Sequence, residues 1–397
     1  MKTLDKQLIE QPKEVKFCKK CVVSNQRPRT TLNEDGVCNA CEYALIKENS
    51  IDWEKREKEL MAVCNKYRSE NGNFDVIVPV SGGKDSSYTA HMLKTKYGMH
   101  PLCVTWAPFI YTDIGWKNFQ NFVKSGFTVF NCFTNGLLHR KLARVAFELK
   151  GDAWEPFAFG QKAFAFHMAI KFGIPLIFYG ENGEVEYGGS MQNANKPYES
   201  IEDWEKLYFK GTGVDTLLKA GYDMGILTKT ESEDKSFDFY RPPKAEDIKR
   251  LGVQMHWHSY YKKWIPQENF YYSQKYAGFS ANEDGRSEGT YSKYASLDDK
   301  TDGFHFYLGY IKFGLGRTTR DAMMEIRSNH ITRDEGVALV KRYDGEFPQK
   351  YFKDFLEYLD ISEEKFWEVI DSYRPPHLWE KIEGEWKLKH AVWDDIA

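Results

Sequence analysis

From residue 74 onward the chain alternates short apolar runs with longer amphipathic stretches. The runs at 74–80, 101–106, 127–133 and 175–179 have the length of buried strands and are bounded by turn residues. Between them, 86–97, 115–125, 137–149 and 160–172 carry apolar residues at helical spacing. Strands alternating with helices predict an α/β fold with a Rossmann-like, mostly parallel sheet covered on both faces.

The flanks differ. Residues 15–48 hold turn residues (Asn33, Asp35, Gly36) and few aliphatics, too little to form a core without a staple. Trp53, Leu60, Val63 and Tyr67 give 52–70 a helical period. Residues 182–245, rich in Glu, Asp, Gly and Lys, read as loops and short helices over a site. The C-terminal part reads as helical. Thr332-Arg333-Asp334-Glu335 is a capping box, Phe352, Phe355, Leu356 and Leu359 mark an amphipathic helix, and Ser362 caps a helix that stops before Pro375-Pro376. The expected organisation is a module over 1–50, a helical linker over 51–72, the α/β domain over 73–250 and a mainly helical domain over 251–397.

Composition narrows the class. The 397 residues are 42% hydrophobic and 28% charged, with a net charge of −3. That balance argues against a dominant attraction to nucleic acid. The absence of a signal-like apolar run and of a long apolar span leads to the expectation of a cytoplasmic chain. Seven cysteines do not form a disulfide framework. Four of them, Cys18-x2-Cys21 and Cys38-x2-Cys41, match a structural four-thiolate Zn²⁺ site better than a redox or iron–sulfur centre. Lys19, Lys20, Arg27 and Arg29 read as a solvated basic face of that module.

The strongest chemical signal follows the first strand. In Val80-Ser81-Gly82-Gly83-Lys84-Asp85-Ser86, adjacent glycines allow positive φ and close backbone approach. The following helix N-terminus presents unpaired N–H groups to an anion. This is not the G-x-x-x-x-G-K-[ST] phosphate loop. It resembles the S-G-G-x-D-S pyrophosphate loop of the ATP pyrophosphatase superfamily, whose members attack the ATP α-phosphate. Glu181 and Asn182, after the fourth strand, are expected at the same crevice. His256 and His258 read as hydrogen-bonded or partly exposed rather than as metal ligands.

Taken together, these parts resemble the N-acetyl sugar amidotransferases of bacterial surface-polysaccharide and flagellin-sugar pathways. The likeness rests on the cysteine pairs and Val80–Ser86, with Thr105-Trp106-Ala107-Pro108 and Thr112–Asn118. It extends through Tyr179-Gly180-Glu181-Asn182 to Lys312–Thr319, Asp321-Ala322 and Glu325-Ile326-Arg327. The resemblance implies that an acetamido oxygen on a nucleotide-sugar attacks ATP, and that ammonia then displaces AMP to leave an acetamidino group. It implies that Ser81, Gly82, Gly83, Lys84, Asp85, Ser86, Thr105, Gly180 and Asn182 bind ATP, and that Asp85 and Glu181 hold Mg²⁺. Lys312, Arg317 and Arg320 would bind phosphate or a sugar carboxylate. No glutaminase signature is apparent, and Lys2 after Met1 offers no N-terminal cysteine nucleophile. Ammonia is therefore expected from a separate glutaminase subunit acting through a cyclase-like barrel subunit. The competing expectation is a tRNA sulfur transferase using Cys103 or Cys132.

Overall fold

A computed structural model of the chain describes residues 3–199 and 213–394. Its central sheet has the order β3-β2-β1-β4-β6-β5. The strands are β1 (Val76–Pro79), β2 (Pro101–Trp106), β3 (Thr128–Cys132), β4 (Leu176–Tyr179), β5 (Tyr198–Glu199) and β6 (Gln254–Trp257). The β1–β2, β2–β3, β1–β4 and β4–β6 pairs are parallel, and the β5–β6 pair is antiparallel.

Alternating side chains explain the two-sided burial. Ile77, Leu102, Val104 and Ile177 point into one apolar layer, Val76, Val78, Cys103 and Phe178 into the other. The helices Gly136–Lys150 and Glu155–Phe172 cover the first face. The helices Trp53–Tyr67, Lys84–Thr95 and Asp113–Lys124 contribute to the second. Chain order runs from β1 outward to β2 and β3, then returns to β4 on the other side of β1. The crevice at the carboxyl ends of β1 and β4 is thus a topological switch point, where open α/β sheets bind ligands.

The second helix on the first face starts at Glu155, before the expected 160, because it is apolar nearly all round and Gly160 sits inside it. A Cβ at Gly160 would lie 2.0 Å from the Trp106 ring, so the glycine lets helix and strand touch. Within 182–245 the helix Gly213–Asp223 runs longer than the expected short pieces, while residues 200–212 lie outside the described residues. The C-terminal part is mainly helical, with Asp302–Phe313, Arg317–Arg327, Arg333–Tyr343, Phe352–Leu359 and Glu363–Ser372. The capping box at Thr332–Glu335 forms. An antiparallel hairpin, Trp379–Ile382 with Glu385–Leu388, follows Pro375-Pro376, where the sequence pattern assigned no element.

The C-terminal helices join two other parts. Phe304, Phe355 and Phe366 pack with Phe147 of the sheet-covering layer. Ala322, Met323, Val337 and Val340 share an apolar cluster with the four N-terminal cysteines. Among the described residues, no helix is long and apolar enough to cross a membrane.

Candidate functional site

A cleft of about 740 Å³ opens at the carboxyl ends of β1 and β4. The sheet, the N-terminal module and the C-terminal helices all contribute to its walls. On its floor, the β1 backbone is held to β2 by Val80 N–H donating to Val104 O at 2.8 Å and Thr105 Oγ1 donating to Val80 O at 2.7 Å. The chain then turns through Gly82 at φ +82°, where a Cβ would lie 2.6 Å from the Phe119 backbone. Gly83 caps the helix Lys84–Thr95 without any side-chain acceptor, which leaves first-turn N–H groups facing the cleft. Ser81 Oγ accepts from Gly83 N–H at 3.2 Å, and Ser86 Oγ donates to Gly83 O at 3.3 Å. The loop is therefore held in shape by its own hydroxyls.

Charge is concentrated beside this loop. Lys84 Nζ lies 2.6 Å from Asp85 Oδ2, and the other Asp85 oxygen accepts from Trp264 Nε1 at 2.9 Å and Asn269 Nδ2 at 2.8 Å. Glu181 accepts from the Tyr187 hydroxyl at 3.3 Å. Burial, then the Asp85 charge, raises the Glu181 carboxyl to about 7. Burial raises Asp298 to about 6, against the opposing effect of the nearby Ser81 hydroxyl. Arg317 pairs with Asp321 at 3.1 Å and lies over the Phe306 ring at 4.3 Å.

Ser81, Gly83, Lys84, Asp85, Ser86, Gly180, Glu181 and Arg317 thus face one cleft. Other expected residues do not. Thr105 is spent on the Val80 carbonyl. Asn182 is buried and caps a short helix by accepting from Glu184 and Val185 N–H. Lys312 is a correction: its ammonium is buried 2.9 Å from Asp5 Oδ2 and 3.0 Å from Lys150 O, away from the cleft. Gly314, at φ +67°, ends the helix just beyond it, so Lys312 and Arg317 leave the chain reversal in different directions. His256 is hydrogen-bonded as expected, its Nδ1 2.7 Å from the Tyr261 hydroxyl, and both His256 and His258 are buried rather than partly exposed.

Several cleft residues were missed. Asp298 comes from a segment docked on Thr112–Asn118: Thr112 N–H donates to Asp298 O at 3.2 Å, and its hydroxyl donates to Leu297 O. A Cβ at Gly115 would lie 2.6 Å from Asp298 O. The signal was the Thr112–Asn118 block itself, whose role is to seat this segment. Arg27 and Arg29 reach the cleft instead of forming only a solvated face, and Arg29 holds Glu184 at 2.8 and 2.6 Å.

The four cysteines converge. Their sulfurs are buried and lie within 4.8 Å of one another, with Cys21–Cys38 at 3.8 Å and Cys18–Cys41 at 4.0 Å. A tetrahedral zinc bound by four thiolates has sulfur–sulfur edges of about 3.8 Å, so the cluster fits Zn²⁺ closed to further ligands. Backbone N–H groups of Lys20, Cys21 and Cys38 donate to Cys18 Sγ at 3.3, 3.4 and 3.2 Å, as expected around a thiolate ligand. Among the described residues lining the cleft there is no cysteine; Cys103 is fully buried in β2.

Residues 288–392 match the family model described as "LPS biosynthesis protein WbpG-like, C-terminal domain". That stretch carries Asp298, Arg317, Arg320 and Arg327. A separate comparison finds 32% identity over 87 residues with "Uncharacterized protein MJ1599" of Methanocaldococcus jannaschii. The match takes in 22% of this chain and 31% of that protein, so the chain spans about a third of the relative's length.

Proposed function

We propose that this chain is an ATP-dependent amidotransferase that converts an acetamido group of a nucleotide-activated sugar to an acetamidino group in surface-glycan biosynthesis. The observation that carries the reading is the Ser81–Ser86 loop: an uncapped helix N-terminus and Lys84 at the sheet's switch point, opening into a cleft of about 740 Å³. The similarity of residues 288–392 to a lipopolysaccharide-biosynthesis domain supports the glycan context.

In this reading the loop N–H groups and Lys84 bind the pyrophosphate end of ATP. The acetamido oxygen attacks the α-phosphorus, the bond to pyrophosphate breaks, and an imidoyl-adenylate remains. Ammonia adds to the imidoyl carbon, AMP leaves with the former amide oxygen, and the amidine is formed. An amide oxygen is a poor leaving group and an adenylate a good one, so positioning and charge stabilisation suffice without a nucleophilic side chain. Asp85 and Glu181 would hold Mg²⁺, with Asp298 beside them; two half-buried carboxyls raised toward neutrality, with Lys84 already paired, suit a site that gains a cation. Bound there, the ion would offset charge on the departing pyrophosphate. Ammonia would come from a partner glutaminase through a cyclase-like barrel subunit.

The absence of a cysteine among the described cleft residues disfavours sulfur transfer. Incubation of the chain with ATP, ammonium and candidate acetamido nucleotide-sugars tests the proposal. It should release AMP and pyrophosphate in equal amounts and lower the sugar mass by the difference between O and NH. Nucleotide cleavage without a mass change in any acetamido sugar would refute it.

A further inference from the structure

The cationic side chains around the cleft are not all neutralised alike. Lys84 pairs with Asp85, Arg317 with Asp321, and Arg29 with Glu184. Arg27 and Arg320, both half-buried on the cleft wall, have no carboxylate within ion-pair distance among the described residues. The carboxylate that acts on Arg27 is Glu184, and Arg29 already grips both of its oxygens. Burial and then the neighbouring Arg320 charge disfavour the protonated form of Arg27. Two like charges are thus set in one cleft, partly desolvated, and neither makes an ion pair among the described residues.

Aromatic rings orient one member of this pair. The Arg320 guanidinium lies over Tyr187 at 3.9 Å and beside Phe306 at 5.3 Å, which fixes its plane and leaves its edge available for a bidentate acceptor. Electrostatic neighbours also order the cleft. Glu181 feels Asp85, Lys84 and Arg320, whereas Arg27 feels Arg320, then Glu184, Arg327 and Arg29. The short helix Gly183–Tyr187 links the two sides: its Glu184 pairs with Arg29, near Arg27 in sequence, and its Tyr187 lies under Arg320. Arg27 of the N-terminal module and Arg320 of the C-terminal helices thus reach one cleft.

We propose that Arg27 and Arg320 form a second anion subsite, separate from the Ser81–Ser86 loop, that holds the diphosphate of the nucleotide-sugar substrate. The assignment rests on the amidotransferase reading for the identity of the substrate. A diphosphate is favoured over a monocarboxylate because two guanidinium forks need two charges and several acceptor oxygens.

Titration calorimetry of the zinc-loaded full chain with methylenediphosphonate, a diphosphate that resists hydrolysis, tests this directly. Wild type should bind two per chain. Arg27→Gln and Arg320→Gln should each bind one, with zinc content unchanged, and Arg27→Lys should recover part of the lost affinity. Saturating the loop with α,β-methylene-ATP should leave the Arg27 subsite titratable. A single site in wild type that both glutamine variants keep, two sites retained in both glutamine variants, or malonate binding there as tightly as the diphosphonate would overturn the assignment. Two sites retained in Lys84→Ala would instead count against the loop reading while leaving the second subsite standing.

Discussion

Arg327 Nη2 lies 3.6 Å from Cys38 Sγ and 3.8 Å from Cys21 Sγ, linking the C-terminal helices to the N-terminal cysteine cluster. The same guanidinium donates to Glu186 O at 3.1 Å. The helix Arg317–Arg327 therefore has two jobs along its length. Its first turn carries Arg317 and Arg320 to the cleft, and its last residue sits on the sulfurs. Four thiolates around Zn²⁺ would carry a net charge of two minus, which the Arg327 guanidinium would offset.

Removal of that charge has a measurable consequence. Arg327→Ala should retain the fold but release zinc to a chelator about 10–100-fold faster than wild type, as expected for loss of a partner behind the metal ligands. A colorimetric zinc-release assay reads this, and unchanged release would detach Arg327 from the metal site.

The seat of Asp298 should be intolerant of any side chain. Backbone cannot move away as a flexible side chain can, and a methyl at Gly115 would press on Asp298 O and Cα at 2.6 and 2.7 Å. Gly115→Ala should cost about 1–3 kcal/mol of stability and lower turnover further by displacing the carboxyl near Ser81. Gly183→Ala, where a Cβ meets nothing closer than 3.8 Å, is the control. Equal behaviour of the two variants in thermal melts and AMP release would contradict this account.

Much of this architecture was legible along the chain. β1 to β4 are apolar runs closed by turn residues, and both the loop and the cysteine spacing are local patterns. β6 was not, because Gln254-Met255-His256-Trp257 lacks a continuous apolar run and becomes a strand by pairing with β4. The start of Glu155–Phe172 was masked by all-round hydrophobicity, which gives no amphipathic edge to read. The site was harder still. Lys312 and Arg317 are near neighbours in sequence, yet a left-handed glycine between them sends one to a buried ion pair and the other to the cleft. Arg27 reaches the cleft only because the module packs on helices some 300 residues later, as Ala322 and Val337 in its apolar cluster demonstrate.

Three histidines set an acid limit. Burial lowers His139 and His258 to about 3 and His256 to about 4. In the unfolded chain they protonate near pH 6.5. The unfolded state therefore binds the extra protons, so the stability these residues contribute is complete above pH 6.5 and is lost as pH falls toward 4 and then 3. His258→Phe keeps a ring against Tyr88 without a titrating group. It should shrink the stability lost between pH 7 and pH 5 by roughly 2 kcal/mol. Denaturant unfolding at the two pH values checks this, and an unchanged difference would rule it out.

Lys84 should matter to chemistry and little to folding. Its ammonium is held at the mouth of the loop by Asp85 and lies 5.3 Å from the Tyr294 ring centre, outside the two sheet-covering cores. Lys84→Ala should lower AMP release by about 100-fold or more, with a melting temperature close to wild type. Full turnover in that variant would remove the lysine from the reaction.

The whole account turns on where the triphosphate sits. A crystal structure with α,β-methylene-ATP would answer this most directly. The account predicts its β- and γ-phosphates against the backbone N–H groups of Gly82–Ser86 and Lys84 Nζ, with the α-phosphorus facing Glu181. A triphosphate bound elsewhere, with the turn after β1 empty, would contradict it.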